Sequence, residues 1–163
     1  MILTSFQKSD FEALKLLKQK YELQQVIQGY LFPHSDEAIE NWFDKISNPG
    51  PTPSEIHWAV RVNNDFSGYV ALHNIDWINR NAEIGIVVNS PRKGIGTEAI
   101  SAVLDISKSD FGMHKVYAKV LEINQAGLAL FRRLDFKIEG TLSEDRFYNG
   151  SWTNNLVLAK ILS

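Results

Sequence analysis

Three glycines near the middle of the chain carry its clearest chemical signal, one inside an apolar strand and two just ahead of a helix. The segment runs Ala82-Glu83-Ile84-Gly85-Ile86-Val87-Val88, then Asn89-Ser90-Pro91, then Arg92-Lys93-Gly94-Ile95-Gly96-Thr97-Glu98-Ala99. Gly85 brings no side chain to a strand, which marks a bulge or a close backbone approach by a ligand. Beyond it, Arg92 and Lys93 lead into a helix N-terminus, where free backbone N–H groups and the positive end of the helix dipole attract a phosphate. Glycines in a strand, loop and helix unit also serve tight turns without any ligand, so a phosphate role and plain fold geometry stand side by side.

The spacing Gly94-x-Gly96-x-x-Ala99 also meets the dinucleotide fingerprint, with Glu122 placed as a ribose ligand and an NAD(P)-binding oxidoreductase as the function. Context speaks against it. Five residues, Asn89 to Lys93, separate the strand from the first glycine, and the unit follows antiparallel strands instead of opening a parallel sheet. The Walker A pattern is absent. The chain has no Cys, which removes disulfides, thiolate metal sites and cysteine nucleophiles. His34, His57, His73 and His114 show no metal-ligand spacing, so no metal is expected.

The elements that must position these residues follow from periodicity. A strand at Ile2 to Phe6 precedes a helix capped by Ser9 or Asp10, with Phe11, Leu14, Leu17 and Tyr21 on its apolar face. A loose segment, Val26 to His34, leads to a second helix capped by Ser35 or Asp36, with Ile39, Trp42, Phe43 and Ile46 on one face. Strands at Ile56 to Val62 and Phe66 to Ile75 form a hairpin across Asn63-Asn64-Asp65. Strand Ala82 to Val88, helix Gly94 to Ser109 and strand Lys115 to Leu121 read as a right-handed crossover, which makes those two strands parallel neighbours. A fourth helix, Gln125 to Leu134, puts Gly127, Leu130, Phe131 and Leu134 on one stripe. Strands around Lys137 to Phe147 and Trp152 to Ile161 join at Asn149-Gly150, a dipeptide suited to a primed turn. The 163 residues, 44% hydrophobic and 22% charged, suit one domain spanning 1–163.

With this order in view, the chain resembles the GNAT superfamily of acetyl-CoA-dependent N-acetyltransferases over nearly its whole length. Pro91-Arg92-Lys93-Gly94-Ile95-Gly96 is similar to the superfamily's core motif, and Asn124-Gln125-Ala126-Gly127-Leu128-Ala129-Leu130-Phe131-Arg132-Arg133-Leu134-Asp135-Phe136 to its next one. Ala82-Glu83-Ile84-Gly85, Glu139-Gly140, Arg146 and Asn149-Gly150 look most like the ribosomal-protein N-terminal acetyltransferase subgroup, which also includes enzymes acting on polyamines and amino-sugars. The resemblance implies an α+β fold: a mixed, mostly antiparallel sheet of about seven strands flanked by four helices, with strands 4 and 5 parallel and splayed.

It also implies roles. Backbone amides of Arg92, Lys93, Gly94, Ile95, Gly96 and Thr97 would cradle the CoA pyrophosphate. Ile86, Val87 and Val88 would pair with the pantetheine arm, Asn124 would hydrogen-bond it, and Phe131 would line the thioester end; by periodicity alone Phe131 reads as a core aromatic. Two departures stand out: Pro91 replaces an Arg or Gln, and Phe131 stands where many members carry the Tyr that protonates the departing sulfur. A thiol of pKa about 8.5 leaves tolerably as thiolate, so turnover does not require that Tyr.

The function expected is direct acetyl transfer from acetyl-CoA to a primary amine of a protein or peptide N-terminus, an amino-sugar, a polyamine or another small amine. A non-catalytic acyl-CoA-binding or partner-binding module of the same fold is the alternative. Glu83 is the first candidate for the base that deprotonates the amine, against an ordinary ion-pair role. His73 and Asp76 lie near the end of the adjacent strand, and Tyr148 beside the last hairpin is the nearest substitute proton donor; a lone His in a strand is more often a satisfied polar residue than a base, and Tyr148 also reads as a half-buried strand aromatic. Charge is balanced: 5 basic and 8 acidic residues in 1–60, 12 and 11 in 61–163, for a net charge of -2. That pattern is no nucleic-acid footprint. No uncharged stretch exceeds 13 residues and the N-terminus lacks signal-peptide features, so no membrane partner is expected and the cytoplasm is the expected location. A homodimer is compatible with the resemblance.

Overall fold

The computed structural model describes residues 1–20, 34–89 and 93–162. Among them, strands β1 (Ile2–Thr4), β2 (Ile56–Val62), β3 (Asp65–Asp76), β4 (Asn81–Val88), β5 (Lys115–Leu121), β6 (Lys137–Tyr148) and β7 (Ser151–Ile161) form one sheet in the order β1-β2-β3-β4-β5-β7-β6. Helices α1 (Phe11–Gln19), α2 (Asp36–Ser47), α3 (Ile95–Ser109) and α4 (Gln125–Arg133) flank it. Only β4 and β5 run parallel; every other pair is antiparallel. This is the expected mixed fold. No described helix is long and apolar enough to cross a membrane.

Alternation along β3 divides the core between the sheet's two faces. Val70 and Leu72 join Ile100, Val103 and Leu104 of α3 and Leu128 and Phe131 of α4 in one cluster. Tyr69 and Ala71 join Leu14 and Leu17 of α1 and Phe43 and Ile46 of α2 in the other. Because helices cover both faces, β2 buries His57, Ala59 and Arg61 as well as Val60.

Local chemistry explains the connections. Asn63 and Asn64 both take positive φ (51° and 70°) in the β2–β3 turn, and Asn149 and Gly150 (50° and 83°) do so in the β6–β7 turn. Ser35 accepts a hydrogen bond from the Ala38 amide at 3.1 Å and so caps α2 as expected. Asp10 precedes α1 but does not cap it. Its carboxylate is taken by Arg61, with contacts of 3.0 and 2.6 Å, while the Arg61 Nε donates to Thr4 at 2.9 Å. This buried fork ties the start of α1 to β1 and β2.

Two details differ from the sequence reading. Leu128 is buried with Phe131 on α4, whereas Leu130 and Leu134 are only partly buried, Leu130 because it packs against Gly96 of α3 and borders a cavity. Gly85 marks no bulge: it pairs in register with Ala71, and the β3–β4 irregularity falls between His73 and Asp76. Tyr21 and most of the segment Val26 to His34 lie outside the described residues, as do Pro91 and Arg92.

Candidate active site

Strands β4 and β5 pair over three residues only, from Asn81 with Lys115 to Glu83 with Tyr117. Past Glu83 they part, so the β5 side of Ile84 to Val88 has no strand partner while β3 fills the other side. A cavity of about 390 Å³ opens there. Its walls come from β4 (Glu83 to Val87), β5 (Lys119, Val120), α4 (Gly127, Leu130, Phe131, with Asn124 just before it), and from Lys18, Trp42, His57, Tyr69 and His73 across the sheet.

Beyond β4 the chain reaches the N-terminus of α3. Gly94 sits there at φ 87°, a left-handed conformation that suits glycine, and the first intrahelical bond runs from the Glu98 amide to the Gly94 carbonyl. The amides of Ile95, Gly96 and Thr97 are therefore the open N–H groups of this helix end. Gly96 has its own packing reason: a Cβ would lie 2.8 Å from Leu130 Cδ1, so α3 and α4 touch across it. Lys93 is on the exposed turn just before the helix. Val88 ends β4 opposite Gly68 and is not among the cavity residues.

Glu83 occupies the fork itself. It pairs with His73 on β3 and Tyr117 on β5, receives a hydrogen bond from Asn74 Nδ2 at 3.1 Å, and lies 3.6 Å from Lys119 Nζ. Asn124 caps α4, its Oδ1 accepting from the Gly127 amide at 2.9 Å. Phe131 does two things at once, lining the cavity and packing edge-on against Phe136 in the core.

Asp76 and Tyr148, both weighed from sequence, are not cavity residues. The Asp76 carboxylate turns back on its own chain, accepting from the amides of Ile78 (3.0 Å) and Asn79 (2.8 Å) and from Asn79 Nδ2; these bonds hold its pKa below the ordinary value. Tyr148 sits at the tip of the β6–β7 hairpin, paired with Ser151, on the far edge of the sheet.

On the opposite wall the sequence pointed to His73 alone. Lys18 places its ammonium 3.6 Å over the Trp42 ring, and burial lowers its pKa. Trp42 meets His57 and Tyr69 edge-on, with ring centroids 5.6 and 6.0 Å away. Burial pushes the Tyr69 phenol up to about 12. Glu55, His57 and His73 converge: Glu55 Oε2 is 3.0 Å from His57 Nε2 and 3.6 Å from His73 Nδ1, and Glu55 Oε1 pairs with Lys45. Burial alone would raise the Glu55 carboxyl, but hydrogen bonds from Lys45 and His57 prevail and hold it at about 2. Burial takes His57 down to about 4 and also lowers His73. The two histidines stand 16 positions apart in sequence, which hid a proximity that β2–β3 pairing creates.

A family model described as an acetyltransferase (GNAT) domain matches residues 1–137, and the chain belongs to that family. It is an acetyl-CoA-dependent N-acetyltransferase acting on an amine. The dinucleotide reading falls with this, since Gly94-x-Gly96-x-x-Ala99 starts a helix behind a single parallel strand pair. The chain is 33% identical over 129 residues to the spermidine N(1)-acetyltransferase of Vibrio cholerae, covering 77% of this chain and 75% of that one. It is 28% identical over 131 residues to the Escherichia coli K12 spermidine N(1)-acetyltransferase, covering 78% and 70%. The crystal structure of the Vibrio cholerae spermidine N-acetyltransferase with CoA and spermine superposes with a TM-score of 0.87 at 22% identity, over 99% of this chain and 95% of that one. Another structure of that enzyme is dodecameric. These relatives are polyamine enzymes, and they lend no support to the ribosomal-protein subgroup.

Proposed function

We propose that residues 1–163 work as one domain that transfers the acetyl group of acetyl-CoA directly to a primary amine of a polyamine. The observation that carries the reading is the arrangement of the cavity. One side is the unpaired edge of β4, with the Glu83 carboxylate at its start, leading on to the open amides of α3; the other is an aromatic wall of Trp42, His57 and Tyr69 suited to the methylenes and charge of an alkylammonium chain. Lys18 supports the choice of amine. Its side chain is itself a primary amine on a four-carbon stem, and it already lies against Trp42 inside the cavity. An aminobutyl arm fits the same surface once Lys18 swings aside.

In this reading the amides of Ile95, Gly96 and Thr97, with Arg92, Lys93 and Gly94 just before them in the sequence, hold the pyrophosphate. The pantetheine runs along Ile86, Val87 and Val88, the Asn124 amide nitrogen donates to it, and Phe131 abuts the thioester. Glu83 takes a proton from the amine, the amine nitrogen attacks the carbonyl carbon, and the C–S bond breaks. CoA departs as thiolate, because Phe131 has no proton to give. Holding two reactants together supplies up to about 7–11 kcal/mol, more than a base of typically about 10²–10⁴-fold contributes. A thioester needs no metal for this step. His73 is the second candidate base, favoured by its position across from Glu83 with Glu55 behind it. Self-association, at least as a homodimer, belongs to the same reading and rests on the dodecameric relative.

Thermal unfolding with acetyl-CoA, desulfo-CoA or NADH tests the cofactor. At a hundred times the dissociation constant a ligand adds about 2.7 kcal/mol. Both CoA compounds should raise the midpoint and NADH should not. Absence of a shift with either CoA compound would contradict the assignment of the β4 edge and α3 N-terminus.

A further inference from the structure

We infer that Glu55, His57 and His73 form a binding site for a borderline divalent cation, with zinc as the matching probe, at the amine end of the cavity. Each residue offers one ligand atom, and the three atoms lie within 4.8 Å of one another. The strand pairing builds the group. Glu55 and His57, two residues apart, share one side of the chain entering β2, and His57 stands opposite Ala71, so His73 is its diagonal neighbour on β3.

The separations fit a metal as well as a hydrogen-bonded cluster. Zinc bonds of about 2.0–2.1 Å in tetrahedral geometry place neighbouring ligands about 3.4 Å apart. The Glu55 Oε2 contacts to the two imidazoles, 3.0 and 3.6 Å, bracket that edge. Lys45 holds Glu55 through the other oxygen, Oε1, and so orients the carboxylate without using the ligating atom. His57 is fixed by burial, with a side chain 1% exposed, whereas His73 at 37% faces the cavity and leaves the fourth position open.

Two imidazoles and one carboxylate select zinc, cobalt or nickel over magnesium or manganese, which favour oxygen donors. Two features limit affinity. Metal at His57 Nε2 puts the proton on Nδ1, a buried atom with no hydrogen-bond partner among the described residues, and the Lys18 ammonium lies in the same cavity. The site is therefore regulatory, not a requirement of acetyl transfer. A cation there occupies the space the amine needs, a consequence that rests on the proposed function, while binding itself does not.

The test is calorimetric titration of metal-stripped protein with ZnCl2, MnCl2 and MgCl2. The expected result is one zinc per chain, no comparable binding of the other two, and affinity at least about tenfold weaker in both His73→Gln and Glu55→Gln. Circular dichroism on both variants verifies folding; His73→Gln decides alone if Glu55→Gln fails to fold. Zinc binding unchanged in His73→Gln would place the ion on surface groups such as His34 or His114, and absence of stoichiometric binding would equally overturn the site. Where zinc binds, competition with the amine but not with acetyl-CoA is the kinetic signature.

Discussion

Replacing Asp10 by Asn tests how much the buried fork with Arg61 contributes. Asp10 is 2% and Arg61 8% exposed, and the guanidinium meets both carboxylate oxygens. Asn keeps the shape and still offers an oxygen to the Gln7 amide, which now bonds Asp10 at 2.8 Å. It leaves the guanidinium buried without its counter-charge, and breaking a buried pair from one side costs about 3–5 kcal/mol. Against a total stability of about 5–15 kcal/mol, that is a large fraction. At about 2–4 °C per kcal/mol for a chain of this size, the melting midpoint should fall by about 6–20 °C. Urea unfolding followed by circular dichroism gives the free energy, with an unchanged slope as the sign that the same surface is exposed. Arg61→Met combined with Asp10→Asn should recover part of the loss, because it removes the orphaned charge. Disruption of the exposed Lys15–Asp36 pair by Asp36→Asn is the internal control and should move the midpoint far less. A loss below about 1 kcal/mol for Asp10→Asn, the range of surface pairs, would refute the argument that this fork is shielded from solvent.

Glu83→Gln should lower kcat/KM by about 10²–10⁴-fold with little change in the far-ultraviolet spectrum, and a loss below tenfold would pass the base to His73. Phe131→Tyr should change kcat by less than about tenfold, because a thiolate of pKa about 8.5 leaves unaided; a hundredfold gain would show that sulfur protonation limits the rate. Tyr69, with its phenol raised from 10 to about 12 by burial, contributes stability that is present below pH about 10 and lost as pH rises through about 12. Relative to Tyr69→Phe, the protein should lose about 2–3 kcal/mol across that window, seen by denaturant unfolding at each pH.

The fold was legible because each segment's hydrophobic period agrees with its place in the sheet. Residues 56–62 and 115–121 keep their expected bounds, and the parallel β4–β5 pair follows from one compact crossover. The helix start at Gly94 and Gly96 was legible for a similar reason, since both glycines sit in one short stretch. Across the cavity only His73 was. Lys18, Trp42, His57, Tyr69 and His73 come from α1, α2, β2 and β3, and Glu55 from the residue before β2, and only tertiary pairing assembles them. Trp42 shares a helix face with core residues and is half-buried there because that face also borders the cavity. Asp76 misled because an Asp at a strand end satisfies nearby amides first. Gly85 misled only as to a bulge: it pairs in register and lines the cavity, and a Cβ there would meet the His73 ring at 3.7 Å.

The most direct measurement is release of free thiol from acetyl-CoA in the presence of spermidine, followed by mass analysis of the polyamine, with Glu83→Gln alongside. Thiol release matched by monoacetylated spermidine, and strongly reduced in Glu83→Gln, is the predicted result. Binding of acetyl-CoA with no thiol release for spermidine, spermine, amino-sugars or peptide N-termini would contradict it and leave a module that binds the acyl donor without using it.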